Sequence, residues 1–167
     1  MLPAVPAVPG AALRRGAFVT LLERGALRGC IGHIAADRTL GAVVRDMTVA
    51  AARDDPRFAP VANDDLPALA VEISVLSAPA SLVAPVEPSR IVVGRDGLIV
   101  RRERLMALLL PQVAVDYDWS PEAFLAATCR KAGLTPGAWR EPGTEVLAFQ
   151  ADVFGESGDE GRGKGEG

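Results

Sequence analysis

Aromatic residues are scarce in this chain. They make up 5% of its 167 residues, so aliphatic side chains must fill the core, and a hydrophobic content of 49% supplies enough of them. Lysine occurs only at Lys131 and Lys164, against 16 arginines. With a formal net charge of −3, the chain lacks the basic surface that a nucleic-acid partner held by its phosphates requires. Histidine occurs once, at His33, and cysteine twice, at Cys30 and Cys129. These cannot supply the three or four converging ligands of an ordinary zinc site. There is no His-x-x-x-His, no Cys-x-x-Cys, no acidic calcium loop and no Walker-type phosphate loop. No metal and no cofactor are expected.

Long apolar runs are also missing: no stretch approaches the ~18 residues of a membrane span. The start, Met1-Leu2-Pro3-Ala4-Val5-Pro6, has no basic region and carries prolines where an export signal would be apolar. Two cysteines in separate elements read as free thiols in a reducing compartment, so the expected location is the cytoplasm.

What is present divides into three stretches. Residues 1–13 are rich in Pro, Ala, Val and Gly and are expected to be loose. Residues 155–167 are glycine and charge, which cannot offset ordering entropy, and are expected to be disordered. Residues 14–154 form the domain. Within it Ala17–Leu22 reads as a strand, turned at Gly25-Ala26 into a second over Leu27–Ile34. Asp37 or Thr39 can cap the next helix. There Leu40, Val43, Val44, Met47, Ala50 and Ala51 fall at helical spacing, and Pro56 ends it. Leu69–Ser77 alternates as a strand, with Val71, Ile73 and Val75 on one face and Glu72 and Ser74 on the other.

Ile91–Val93 and Leu98–Val100 flank Gly94-Arg95-Asp96-Gly97, which predicts a hairpin. Arg104–Leu110 reads as a further strand stopped by Pro111. Ser120 caps a helix that opens on Pro121 and stops at Gly133. Val146–Phe154 reads as the last strand. Hairpins with interspersed helices and no repeated strand–helix–strand units predict an α+β fold with an antiparallel or mixed sheet.

Leu27-Arg28-Gly29-Cys30-Ile31-Gly32 carries the most information. Glycine in a strand marks a bulge or a close approach of backbone or ligand, and here two of them bracket one thiol. In a regular strand Arg28 and Cys30 share a face, and a guanidinium beside a thiol favours the nucleophilic thiolate. Two readings of Cys30 stand together: a reactive or ligand-contacting thiol, and a small buried hydrophobe. His33 points to the opposite face in a regular strand, so a Cys–His dyad is not expected. It remains a binding candidate or a plain strand-end histidine.

Glu72 is the best carboxylate for proton transfer if its face lines a cleft; otherwise that face is solvated. Arg57, in Asp54-Asp55-Pro56-Arg57-Phe58, either offers a guanidinium to an anion or belongs to a simple helix stop. Arg101, Arg102 and Arg104 read as a charged edge strand. Gln112, a lone amide in an apolar run, must find partners if buried.

Five motifs in fixed order add kinship: Leu27–Gly32, Asp55–Phe58, Glu72–Ser77, Leu109–Val113 and Lys131–Leu134. Together they resemble the AMMECR-type domain family from about Arg15 to Glu156. That resemblance implies one compact body with a larger and a smaller lobe. It implies an upstream helix that this chain lacks or keeps only in degenerate form. Members are commonly linked with a Memo-like and a radical-SAM family, which implies an accessory role in a shared modification pathway, with those two proteins as partners. Nothing in this chain binds iron–sulfur or S-adenosylmethionine, so redox chemistry would fall to the partner. Two alternatives stay open: a stand-alone Cys30-dependent transferase or hydrolase, and a structural adaptor.

Overall fold

The structure is a computed structural model that describes residues 4–156. Its elements alternate irregularly between strand and helix, and each of two four-stranded sheets has its own core. The chain divides into two compact units. One comprises the chain up to Val75 together with the chain from Asp152, and the other is Leu76–Ala151. The fold is α+β, as the mixture of hairpins and helices predicted.

In the first unit β1 (Ala17–Glu23) and β2 (Ala26–His33) form an antiparallel hairpin. Arg24 and Gly25 turn it, both at positive φ. β3 (Leu69–Leu76) pairs antiparallel with the other side of β1, and β8 (Ala151–Gly155) lies beside β3, so β2 is an edge strand. α1 (Leu40–Arg53) covers one face: Val19, Leu21 and Ala51 are buried together, with Ile31, Val71 and Ile73 packed around them. Thr39 stands at the start of α1 without a side-chain cap. Two N–H groups at that end are satisfied from upstream instead, Leu40 by the Leu13 carbonyl at 2.6 Å and Gly41 by that of Ala11 at 2.9 Å. Within the segment expected to be loose, Ala11 and Leu13 thus cap α1, and among the described residues no helix precedes β1.

The second unit orders its strands β4 (Ala80–Ser81), β7 (Glu145–Phe149), β5 (Gly97–Arg102), β6 (Leu105–Leu109), all antiparallel neighbours. α2 (Pro111–Asp116) and α3 (Pro121–Lys131) complete it. Phe124, Leu125 and Cys129 of α3 are buried against Leu98, Val100 and Val146 of the sheet. α3 starts as predicted, with Ser120 Oγ accepting the Ala123 N–H at 3.2 Å, and stops at Gly133 with φ +78°.

Three predicted boundaries are corrected. Ile91–Val93 is not a strand. Asp96 accepts the Val92 N–H at 2.9 Å, which closes the segment on itself as a turn. The hairpin instead joins β5 to β6 through Glu103, a non-glycine residue with φ 54°. The predicted last strand over Val146–Phe154 is two strands, β7 and β8, which belong to different sheets and are separated by Gln150. Order also extends past residue 154: β8 reaches Gly155, and Glu156 donates its N–H to the Val71 carbonyl at 2.9 Å. The rest of the expected tail, 157–167, lies outside the described residues.

Candidate functional site

The sheet face of the first unit opposite α1 carries a polar row. In register, Cys30 of β2 stands opposite Thr20 of β1, and Thr20 stands opposite Glu72 of β3. Opposed residues on antiparallel strands project to the same face, so the three side chains form one line. Thr20 Oγ1 donates to Cys30 Sγ at 3.3 Å. Two strand spacings of about 4.8 Å put the Glu72 backbone about 10 Å from that of Cys30, with the Thr20 hydroxyl between them. The next row holds Gly32, Phe18 and Ser74. The Phe18 ring lies over Gly32, where a Cβ would overlap it. The thiol is half-buried and accepts from a neighbouring hydroxyl, with an aromatic ring covering the next row.

The outer edge of Cys30 is clamped. As an edge-strand residue it has an N–H and a carbonyl that no strand pairs. Asp55 Oδ2 accepts that N–H at 2.9 Å, and Arg57 Nη2 reaches the carbonyl at 3.4 Å. Asp55 is 4% exposed and also accepts from the Arg57 backbone N–H, Nε and Nη2 at 3.1, 2.9 and 2.7 Å. The Arg57 hydrogen bonds, followed by the N–H groups of Cys30 and Arg57, hold the Asp55 carboxyl far below the ordinary carboxylate range against the opposing effect of burial. In return Asp55 raises the Arg57 pKa. Pro56 prevents α1 from continuing, and the loop that follows places both side chains on the strand edge.

The structure places the predicted residues unevenly. Cys30, Arg57, Glu72, Gly29 and Gly32 belong to the first unit, around this row. Arg28 does not accompany Cys30. The pairing slips between Leu21 and Leu22, which leaves Arg28 as the extra residue of a bulge. Its guanidinium donates to the Ala59 and Pro60 carbonyls at 2.7 and 3.4 Å and lies near Asp65 and Glu23. The cation at Cys30 is Arg57.

Gly29 is buried, and a Cβ there would overlap the Ala51 carbonyl of α1. This glycine admits a helix backbone. His33 Nε2 lies 2.6 Å from Asp37 Oδ1, and this contact lowers the Asp37 pKa. Gln112 is half-buried in α2, in the second unit. Among the described residues no group of three or more His, Cys, Asp or Glu could hold a metal ion.

Sequence reasoning passed over Asp55 and Thr20. Asp55 had a signal: two adjacent acids at a helix C-terminus oppose the helix dipole, so one of them needed a specific partner. Thr20, polar between apolar Val19 and Leu21, marked the second face of β1.

An α+β chain with this clamped Leu-Arg-Gly-Cys-Ile-Gly strand defines a class of domain. The family model described as AMMECR1 matches residues 3–154, and the chain belongs to that family. It is 48% identical over 145 residues to Protein Mbar_A1807 of Methanosarcina barkeri, covering 86% of this chain and 71% of that one. It is 45% identical over 150 residues to Protein TK0174 of Thermococcus kodakarensis, covering 86% and 73%. The crystal structure of uncharacterized protein PH0010 from Pyrococcus horikoshii superposes with a TM-score of 0.85 at 41% identity, over 93% of this chain and 81% of that one.

Proposed function

We propose that the chain is an accessory component of a modification pathway shared with Memo-like and radical-SAM proteins, and that the Cys30 face binds its substrate or partner. The observation that supports this reading is the double hold on Cys30. Asp55 and Arg57 fix its backbone while Thr20 donates to its sulfur. A cysteine needed only as core filler requires neither.

Stand-alone thiol catalysis draws on the same sulfur but needs a base. His33 is engaged with Asp37, and Glu72 stands two strands away from Cys30 across Thr20, so we rank that reading second. The test is affinity capture of the tagged full chain from its source cells, with quantitation of Memo-like and radical-SAM proteins. Capture by the parent chain and its loss in Cys30→Ala and Thr20→Val variants that remain cooperatively folded at the capture temperature is the expected result. Equal capture by both variants, or none by the parent, overturns the proposal.

A further inference from the structure

The second unit has a cavity of its own, and nothing above uses it. It is a cleft open to solvent on one side, with a volume of about 770 Å³, inside the range of roughly 300–1,000 Å³ typical of ligand sites. Leu82, Pro85, Val86, Pro88, Trp139 and Pro142 form an apolar wall. Three charged residues line it as well: Glu122, Arg140 and Glu141.

Their charges are not equivalent. Glu141 is taken, by Arg102 Nη1 at 2.7 Å and Thr135 Oγ1 at 3.4 Å. Glu122 and Arg140 form no ion pair among the described residues. The Arg140 guanidinium lies over the Trp139 ring, 3.8 Å from its centroid. Stacking uses the face of the guanidinium and leaves its in-plane N–H donors free for a planar acceptor such as a carboxylate. The cavity therefore presents one uncommitted cation, one uncommitted carboxylate and an apolar wall. Thr144 lines it too, and its hydroxyl oxygen is the one buried side-chain polar atom without a hydrogen-bond partner among the described residues.

We propose that this cavity binds a short apolar peptide with free termini: carboxylate to Arg140, ammonium to Glu122, and side chains against Trp139 and the prolines. A single amino acid would leave most of the volume unfilled, and a simple anion would leave Glu122 unpaired.

The probe is the tripeptide Leu-Ala-Leu, titrated calorimetrically into the full chain beside its N-acetylated form, its C-amidated form and Gly-Gly-Gly. The expected result is a Kd below about 1 mM for Leu-Ala-Leu, with each cap and the triglycine weakening binding about tenfold. The Arg140→Met variant keeps an unbranched apolar stem and should lose discrimination against the amide cap while still rejecting the acetyl cap. Glu122→Gln should do the reverse. Both residues are exposed, so unchanged Tm values are expected and checked. No binding of Leu-Ala-Leu at about 10 mM, ten times the expected ceiling of about 1 mM, equal binding of free and capped peptides, or variants that fail to separate the two caps, overturns the proposal.

Discussion

Asp55 holds the backbone of Cys30 from 25 residues away, its Oδ2 accepting the Cys30 N–H at 2.9 Å. The folded carboxyl titrates lower than it would in the unfolded chain, chiefly because Arg57 hydrogen-bonds it. A group with a depressed folded pKa stabilises fully above its unfolded value and loses that contribution as pH falls towards its folded value. Asp55→Asn should therefore cost about 1–3 kcal/mol at pH 7. The gap from the parent should narrow below about pH 4, by up to about 1.4 kcal/mol per pH unit. Urea unfolding at pH 7, 4 and 3 measures it. A gap that does not change with pH would remove the Asp55–Arg57 clamp as a source of acid sensitivity.

Gly29 and Gly25 separate two reasons for glycine. Gly29→Ala drives a methyl group into the Ala51 carbonyl, which is backbone and cannot swing aside. It should destabilise by about 1–3 kcal/mol or more, as overpacking does. Gly25 has φ +82° and open space around its missing Cβ, so Gly25→Ala should cost only the left-handed backbone penalty of about 1 kcal/mol. Denaturant midpoints at constant m-value decide it, and equal costs would contradict the packing account.

The two thiols should differ in reactivity. Cys129 is fully buried, and burial pushes its pKa up, whereas Cys30 is half-buried at a strand edge. Iodoacetamide followed by intact-mass analysis should label Cys30 first in the folded chain. Faster labelling of Cys129 would move attention away from the β2 edge.

Thr20→Val removes the hydroxyl that donates to Cys30 Sγ while keeping shape and β-branching. The donor orients the Cys30 sulfur, so the Cys30 alkylation rate at pH 7 should change while stability falls by less than about 1.5 kcal/mol. A rate that does not change with the substitution would leave the 3.3 Å contact without chemical effect.

Local chemistry made much of this fold legible. The Gly25-Ala26 turn, the apolar stripe of α1, Ser120-Pro121 at the start of α3 and Gly133 at its end all act within a few residues. The misreadings required distant information. The Gly94–Gly97 turn signal is genuine, but the Asp96 carboxylate folds it back on Val92 rather than into a hairpin. The alternating pattern runs through Gln150 without a break, although the chain changes sheets there. At the site, strand periodicity put Arg28 beside Cys30, and a bulge set by pairing to β1 undid that. Arg57 was visible as a cation but not as a neighbour of the thiol, because only the folded loop after α1 brings it to the edge of β2.

The first sheet begins with β1 and is finished by β8, and the whole segment Leu76–Ala151 is threaded between β3 and β8. On the ribosome this reverses the order of completion. The segment emerges as one continuous stretch and can fold while its host still lacks a border strand. At about 5–20 residues per second, the wait between β3 and β8 is roughly 4–15 seconds. During that interval β3 presents a bare row of backbone donors and acceptors, a template for pairing with another nascent chain. Translation arrested before Ala151 would leave β3, rather than the short β8, as the border of that sheet.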